Sequence, residues 1–337
     1  MYKKHYSRFL SQLGERLHFA AHSHHAWPDV SREAHLQYWD DSARLMDEKW
    51  EYIFTHVIPQ TQKHIAGILN LRDEKQIALA PNTHELLVRL LSTFDQKRTL
   101  NILTTENEFH SFRRQIQRME EAGLATVTRV PSDKIDTIVQ KLQTGKFDLL
   151  FLSHVFFDSG VALSKLQIQS LVKAAPATTM VCIDGYHAFG AIPVDLSSLE
   201  GRIFYLGGGY KYAQAGEGAC FMVVPKGDWK PLNTGWFAEI ESLSDKRTSS
   251  VVYPANGSAF WGSTQDPSGF YRFNAVWDLF KSEGIDVATI NAHVLRLQDI
   301  FLSKINAKPL NSNPATRGNF LVFDLESPEK CAAFYNE

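Results

Sequence analysis

Short apolar runs alternate with amphipathic stretches through most of the chain. β-favouring, largely apolar residues follow one another over Gln76 to Ala80, Leu100 to Thr104, Leu124 to Val130, Phe147 to Ser153, Thr179 to Ile183, Arg202 to Leu206 and Ala219 to Val224. Between them, Asn82 to Phe94, Glu108 to Glu121, Asp133 to Leu142 and Lys165 to Ala174 carry apolar residues at helical spacing, and Gly123 closes the second of these stretches. Strands that are apolar on both faces and separated by helices predict an α/β fold with a mainly parallel sheet, covered on both sides. Ahead of it, residues from about Ser31 to Leu69 are rich in Glu, Lys, Trp and Leu at roughly helical spacing. After Pro225 the pattern changes. Residues 226 to 268 are rich in Gly, Pro, Ser and Asn and predict loops; helices are expected over Phe270 to Glu283 and Val287 to Lys304. A strand over Gly318 to Leu325 and a short helix after a Ser-Pro start close the chain. The organisation expected is an N-terminal segment (1–45), a large α/β domain (46–270) and a small α+β domain (271–337), of which the remainder is expected to be missing.

Composition narrows the class. The chain has 337 residues, 44% hydrophobic, with a formal net charge of −2, enough apolar material for one large or two linked domains. That charge balance gives no reason to expect nucleic acid or an anionic membrane as partner. No run approaches the ~20 apolar residues of a membrane helix, and the opening M-Y-K-K-H-Y-S-R-F-L-S lacks the apolar core of a signal peptide. The three cysteines, Cys182, Cys220 and Cys331, are too few and too widely spaced for a disulfide framework or a zinc site. A reducing cytoplasm is the expected location.

The candidate chemistry sits in two segments, V-C-I-D-G-Y-H-A-F-G around Asp184 and Y-L-G-G-G-Y-K-Y around Lys211. Each reads as a buried strand that delivers one charged residue at its carboxyl end, where open α/β sheets bind ligands. An acid and a lysine presented side by side in this way suit pyridoxal phosphate. The lysine forms a Schiff base with the aldehyde, and the acid keeps the ring nitrogen protonated so that the ring acts as an electron sink. The glycines before Lys211 allow close approach of the backbone to a cofactor. His187 is placed to pack over or beside the ring. Residues 81–89, P-N-T-H-E-L-L-V-R, follow the first strand and open a helix, with Asn82 or Thr83 as cap and a free N-terminus suited to phosphate. Phe109, His110 and Ser111 open the next helix after T-E-N-E, and an aromatic or imidazole there is placed to stack on a ring. His22, His24, His25 and Asp29 have no complete metal-ligand spacing, so substrate contact or polar packing is expected of them instead of metal binding.

Together these residues resemble the fold-type-I pyridoxal phosphate enzymes of the class V aminotransferase group, and within it the kynureninase-like branch. The most specific matches are D-G-Y-H-A-F-G and Y-K-Y-A-Q-A-G-E-G. The resemblance implies that Asp184 pairs with the pyridine nitrogen, His187 sits beside the cofactor, Lys211 forms the Schiff base and Tyr210 reaches the phosphate. It implies Thr83 and His84 in the first phosphate turn, Phe109 stacked on the ring, Ser111 near the phosphate, Ser159 near the phenolic oxygen and Trp236 approaching the phosphate. Ser263 and Thr264, in F-W-G-S-T-Q-D-P, resemble the segment that enters the neighbouring subunit's site, which implies a homodimer. Two departures stand out. The kynureninase F-P-S-D segment reads F-H-S-F, so that Phe112 replaces an acid, and the Ser-Asn-Pro-Pro segment reads S-T-Q-D-P. Arg317 does not match the context of the arginine that grips the substrate carboxylate in that group.

The function these readings imply is a pyridoxal phosphate-dependent enzyme acting on a small amino acid, with Lys211 as the base that removes the α-proton. Hydrolysis at Cγ, transamination and elimination at Cβ all stay open. One alternative is a cysteine desulfurase or C–S lyase; the first needs a mobile nucleophilic cysteine that none of the three obviously supplies. Another is a non-catalytic protein that keeps the fold for binding.

Overall fold

The structure, a computed structural model, describes residues 2–242 and 250–336; residues 243–249, inside the loop-rich stretch, lie outside the described residues. Seven strands, β1 (Ile77–Ala80), β2 (Leu100–Thr105), β3 (Ala125–Val130), β4 (Leu149–Ser153), β5 (Met180–Asp184), β6 (Ile203–Gly208) and β7 (Cys220–Val223), form one sheet in the order β1-β7-β6-β5-β4-β2-β3. β7 runs antiparallel to both of its neighbours, and every other adjacent pair is parallel. The helices, in chain order, are α1 (Ser7–Leu13), α2 (Asp29–Leu45), α3 (Lys49–Tyr52), α4 (Ile58–Leu69), α5 (Thr83–Leu91), α6 (His110–Glu121), α7 (Ile135–Thr144), α8 (Lys165–Ala174), α9 (Ser268–Ser282), α10 (Val287–Leu302) and α11 (Pro328–Asn336).

The strands form where unbroken apolar runs can be buried on both faces. Every residue of β4 and of β6 is buried, which only a sheet covered on both sides allows. α5 packs on β1, β6 and β7, α6 on β3, and α7 against α8, while α2 and α4 pack against α9. Local signals set the helix ends. Asn82 caps α5 by accepting a hydrogen bond from the Glu85 N–H at 2.9 Å, and Ser164 with Gln167 forms a capping box on α8. Gly123, with φ of +72°, turns the chain out of α6 in the left-handed conformation.

The chain passes from β2 outward to β3 and then returns to place β4 on the other side of β2. The order reverses between β2 and β4, and a crevice opens at the carboxyl ends of strands flanking such a point. The residues that follow β2, β4, β5 and β6 therefore converge on one edge of the sheet.

One sequence expectation meets a different structure, and one departure from the resembled motif finds its place. Gly318 to Leu325 forms no strand: Arg317 makes a single bridge with Val161, the Gly318 N–H donates to Gly160 O, and Leu310 N–H donates to Val322 O. The segment has strand composition, but among the described residues no neighbouring strand offers it a ladder. Phe112 is 3% exposed and lies flat against Phe151 of β4, with ring centroids 3.6 Å apart and planes 5° off parallel. It fills the interface of α6 with the sheet, and so faces the core instead of the ligand edge. Phe112→Ala is expected to cost about 3–5 kcal/mol of stability in chemical denaturation while leaving cofactor binding intact, because it opens a core cavity away from the crevice.

Candidate active site

At the carboxyl edge of the sheet a cavity of about 250 Å³ is lined by Thr83, Phe109, Ser111, Ser153, Val155, Phe157, Asp184, Tyr186, His187, Tyr210 and Lys211. Seven of the residues expected from sequence meet there: Thr83, Phe109, Ser111, Asp184, His187, Tyr210 and Lys211. Four do not line it. His84 is exposed on the first turn of α5. Ser159 caps its own turn, its hydroxyl accepting from the Val161 N–H at 3.3 Å. Trp236 and Thr264 are both exposed and bond to each other, Trp236 Nε1–H donating to Thr264 Oγ1 at 3.2 Å.

Asp184 is the last residue of β5. Its Oδ1 accepts from the Tyr186 N–H at 2.9 Å, and among the described residues no donor reaches its other oxygen. Burial raises its pKa above the ordinary carboxylate range, while the Tyr186 N–H and the positive charge of Lys211 oppose that rise. Lys211 follows β6 on a loop closed by Ala215 N–H to Gly209 O at 2.9 Å, with Gln214 in the left-handed conformation at φ +57°. Its Nζ lies 2.5 Å from His187 Nε2 and 5.3 Å from the ring centres of both Phe109 and Tyr186. Burial pushes the Lys211 pKa down to about 8, with Asp184 holding it up in part. His187 is pushed down to about 3 by burial first and then by Lys211 and His22, so its ring is neutral at physiological pH. Among the described residues, His187 Nδ1 is buried without a hydrogen-bond partner.

The glycines before Lys211 serve a purpose the sequence did not disclose. A Cβ on Gly207 would lie 2.5 Å from the Phe221 ring, and one on Gly208 would lie 2.7 Å from both Tyr186 and Cys220 Sγ. Protein side chains occupy the space that the missing Cβ atoms leave, and they seat Tyr186 beneath the lysine. Tyr186, Ser153, Val155, Phe157 and the buried Glu108 behind them were not picked out by sequence reasoning. The T-E-N-E run after β2 holds two acids, and nothing in the sequence separates the buried Glu108 from the exposed Glu106. The histidines near the start disperse onto different aromatic partners: His22 stacks on Phe320 at 5.3 Å, His24 on Trp27 at 5.6 Å, and His25 meets Tyr212 edge-on at 5.5 Å. Among the described residues no group of His, Cys, Asp and Glu is arranged to hold a metal ion.

The donor set fits pyridoxal phosphate. Lys211 would take the aldehyde, the open oxygen of Asp184 the ring nitrogen, and Phe109 a ring face. The N-terminus of α5 with Thr83, and the hydroxyls of Ser111 and Tyr210, would take the phosphate. His187 Nδ1 is the kind of orphaned buried atom that a group from outside the chain satisfies. Reagents for neutral amines should modify Lys211 in the cofactor-free protein with a midpoint near pH 8, below that of the surface lysines; Asp184→Asn should move this midpoint lower, because the carboxylate that favours the ammonium form is gone. A midpoint shared with the surface lysines would contradict the buried placement.

Residues 23–324 match the aminotransferase class-V family. No curated protein matches the chain in sequence. Among solved structures, the chain is similar to a C-DES mutant carrying glycine covalently linked to the PLP cofactor, with TM-score 0.82 and 17% identity over 97% of this chain and 86% of that one. It is also similar to the cystine C–S lyase C-DES in complex with cysteine persulfide, with TM-score 0.78 and 18% identity over 91% and 84% of the two chains. The apo cysteine desulfurase of Thermococcus onnurineus NA1 matches with TM-score 0.77 and 18% identity over 96% and 83%. At this identity the likeness is one of fold, whereas the family match spans most of the sequence. With a sheet that brings Asp184 and Lys211 to one cavity, the chain belongs to the aminotransferase class-V family and is a pyridoxal phosphate-dependent enzyme of fold type I.

Proposed function

We propose that this enzyme acts on a small, sulfur-bearing amino acid and eliminates at Cβ, with Lys211 moving the α-proton. The observation that carries the proton assignment is the position of Lys211 Nζ, 2.5 Å from His187 Nε2 in the cavity that Asp184 lines. When bound, the cofactor supplies an electron sink for a carbanion at the substrate α-carbon. The chain supplies the rest. Lys211, with a pKa brought down to about 8, can both take and return a proton at Nζ. His187, neutral, holds that nitrogen in place by a hydrogen bond at Nε2. Asp184 supplies the negative charge that a protonated ring nitrogen requires. Phe109, Val155 and Phe157 wall the cavity with apolar surface and exclude water from the reacting centre.

Three observations favour elimination over the related reactions. The cavity of about 250 Å³, which shares Thr83, Tyr186 and Tyr210 with an adjoining one of similar volume, suits a small substrate beside the cofactor. Phe112, where a kynureninase-type sequence has an acid, packs into the core and is turned from the ligand edge. No cysteine lines the cavity: Cys182 and Cys220 are buried with thiols pushed up by burial, the second to about 12, and Cys331 is exposed on α11. A desulfurase needs a thiolate nucleophile at the site, whereas a lyase needs none. Ser263 and Thr264, both exposed, are the residues a second copy would bring to this cavity in a homodimer.

Reconstituted with pyridoxal phosphate, the wild type is expected to show the visible absorbance of a lysine-bound cofactor, and Lys211→Ala to lose it; an unchanged spectrum in the variant would rule out Lys211 as the anchor. Given cysteine or cystine, the enzyme should release pyruvate and ammonia, and replacing all three cysteines with alanine should leave that rate unaltered. Alanine as the product, abolished by Cys331→Ala, would establish the desulfurase instead. Anthranilate from kynurenine would establish the hydrolytic reaction.

A further inference from the structure

Glu108 lies behind the cavity, 4% exposed, between the end of β2 and the start of α6. Its Oε1 bonds with Thr105 Oγ1 at 2.6 Å and its Oε2 with Ser153 Oγ at 2.7 Å. Ser153 ends β4 and is paired in register with Asp184, the end of β5, and both line the cavity. The hydroxyl that bonds Glu108 thus belongs to the residue paired with Asp184 on the adjacent strand, which sets a buried carboxyl group beside a half-buried one. Their surroundings are unequal. Asp184 has the charge of Lys211 and the N–H of Tyr186. Glu108 has hydroxyl partners, and among the described residues it forms no ion pair. Two acids this close do not both ionise readily, and the one without a cation is the one that keeps its proton.

We propose that Glu108 remains protonated in the folded protein and is a positioning residue for Asp184, acting through the Ser153 hydroxyl to hold the charge of the cavity floor at one. The assignment rests on the reading that Asp184 answers the ring nitrogen. With the proton on Glu108 Oε2, the carboxyl O–H donates to Ser153 Oγ, and Ser153 is free to turn its own hydrogen toward the cavity. Asp184 then meets a cationic ring nitrogen as a single carboxylate, and Lys211 faces one negative charge instead of two.

The other titratable groups around Glu108 do not compete for this role. Cys182, on β5, is held neutral, its thiol pushed far up by burial and by both carboxyls. Lys211 and His187 stand on the other side of Asp184, and Tyr205, buried beneath it, is pushed up and stays neutral. Glu108 itself is raised to about 8 by burial first, its hydroxyl bonds opposing and Asp184 adding to the rise, so its proton is lost in a range where the protein can be followed.

The test follows the carbonyl stretch of a protonated carboxyl by infrared difference spectroscopy on cofactor-free protein. The wild type should show this band near neutral pH and lose it as pH rises through about 8; Glu108→Gln should lack it. Asp184→Asn should lower the midpoint by on the order of one pH unit, a tenfold change in proton affinity, and this shift should shrink in a Ser153→Ala background. A band that persists in Glu108→Gln, or a midpoint that ignores Asp184→Asn, overturns the proposal. Should Glu108→Gln fail to fold, the Asp184 and Ser153 variants retain Glu108 and still decide it. With pyridoxal phosphate added, the absorbance of bound cofactor should change over the same pH range in the wild type and not in Glu108→Gln; an identical pH response in both overturns the link to Asp184. If no cofactor binds, the functional reading fails, while the cofactor-free midpoints still judge Glu108.

Discussion

A carboxylate placed at the buried end of a strand obliges everything around it. Asp184 loses water, which by itself drives it toward the neutral acid, and its ionised form depends on what the fold returns: one backbone N–H from Tyr186 and the charge of Lys211. Lys211 is under the opposite pressure, its amine brought toward neutrality by burial and held back by Asp184. The two groups tune each other, and neither is reactive in the same way alone. His187 fits this balance because burial keeps it neutral, so that it takes up the lysine nitrogen without adding a second positive charge.

The sheet converts this electrostatic pair into a site. Parallel strands end on the same edge, so β4, β5 and β6 deliver Ser153, Asp184 and, one short loop on, Lys211 within one crevice. The reversal of strand order between β2 and β4 keeps that crevice open and brings Glu108 and Phe109 to it from the β2 side. α5 begins at the same edge, its cap supplied by Asn82, and leaves its first N–H groups available to an anion. The glycines at 207 and 208 make the arrangement possible by leaving room for Phe221, Tyr186 and Cys220 against β6.

Much of this was legible in the chain. The seven strands, the helices between them and the strand-end positions of Asp184 and Lys211 follow from unbroken apolar runs, whose burial requirement is a local property of composition. Thr83, Phe109 and His187 were singled out because each lies beside a strand or helix terminus that the pattern marks, Ser111 and Tyr210 through the family resemblance, and all five line the cavity. Ser153 and Tyr186 were not, since a serine or tyrosine looks the same in sequence whether it faces a crevice or a core. The segment from Gly318 to Leu325 shows the converse. Its residues favour a strand, but a strand exists only where another offers it hydrogen bonds, and Val322 finds a single donor in Leu310.

The sequence by itself determined the α/β architecture, the pair of charged residues and the class of cofactor they suit, because these depend on periodicity and residue type along the chain. Tertiary structure alone decided that Phe112 stacks on Phe151 in the core, that Trp236 and Thr264 lie together outside the cavity, and that Glu108 bonds Ser153, the register partner of Asp184. Those outcomes depend on register between strands distant in sequence. A shift of one residue in the pairing of β4 with β5 would turn Ser153 from the face that Asp184 occupies, and no local pattern encodes that alignment.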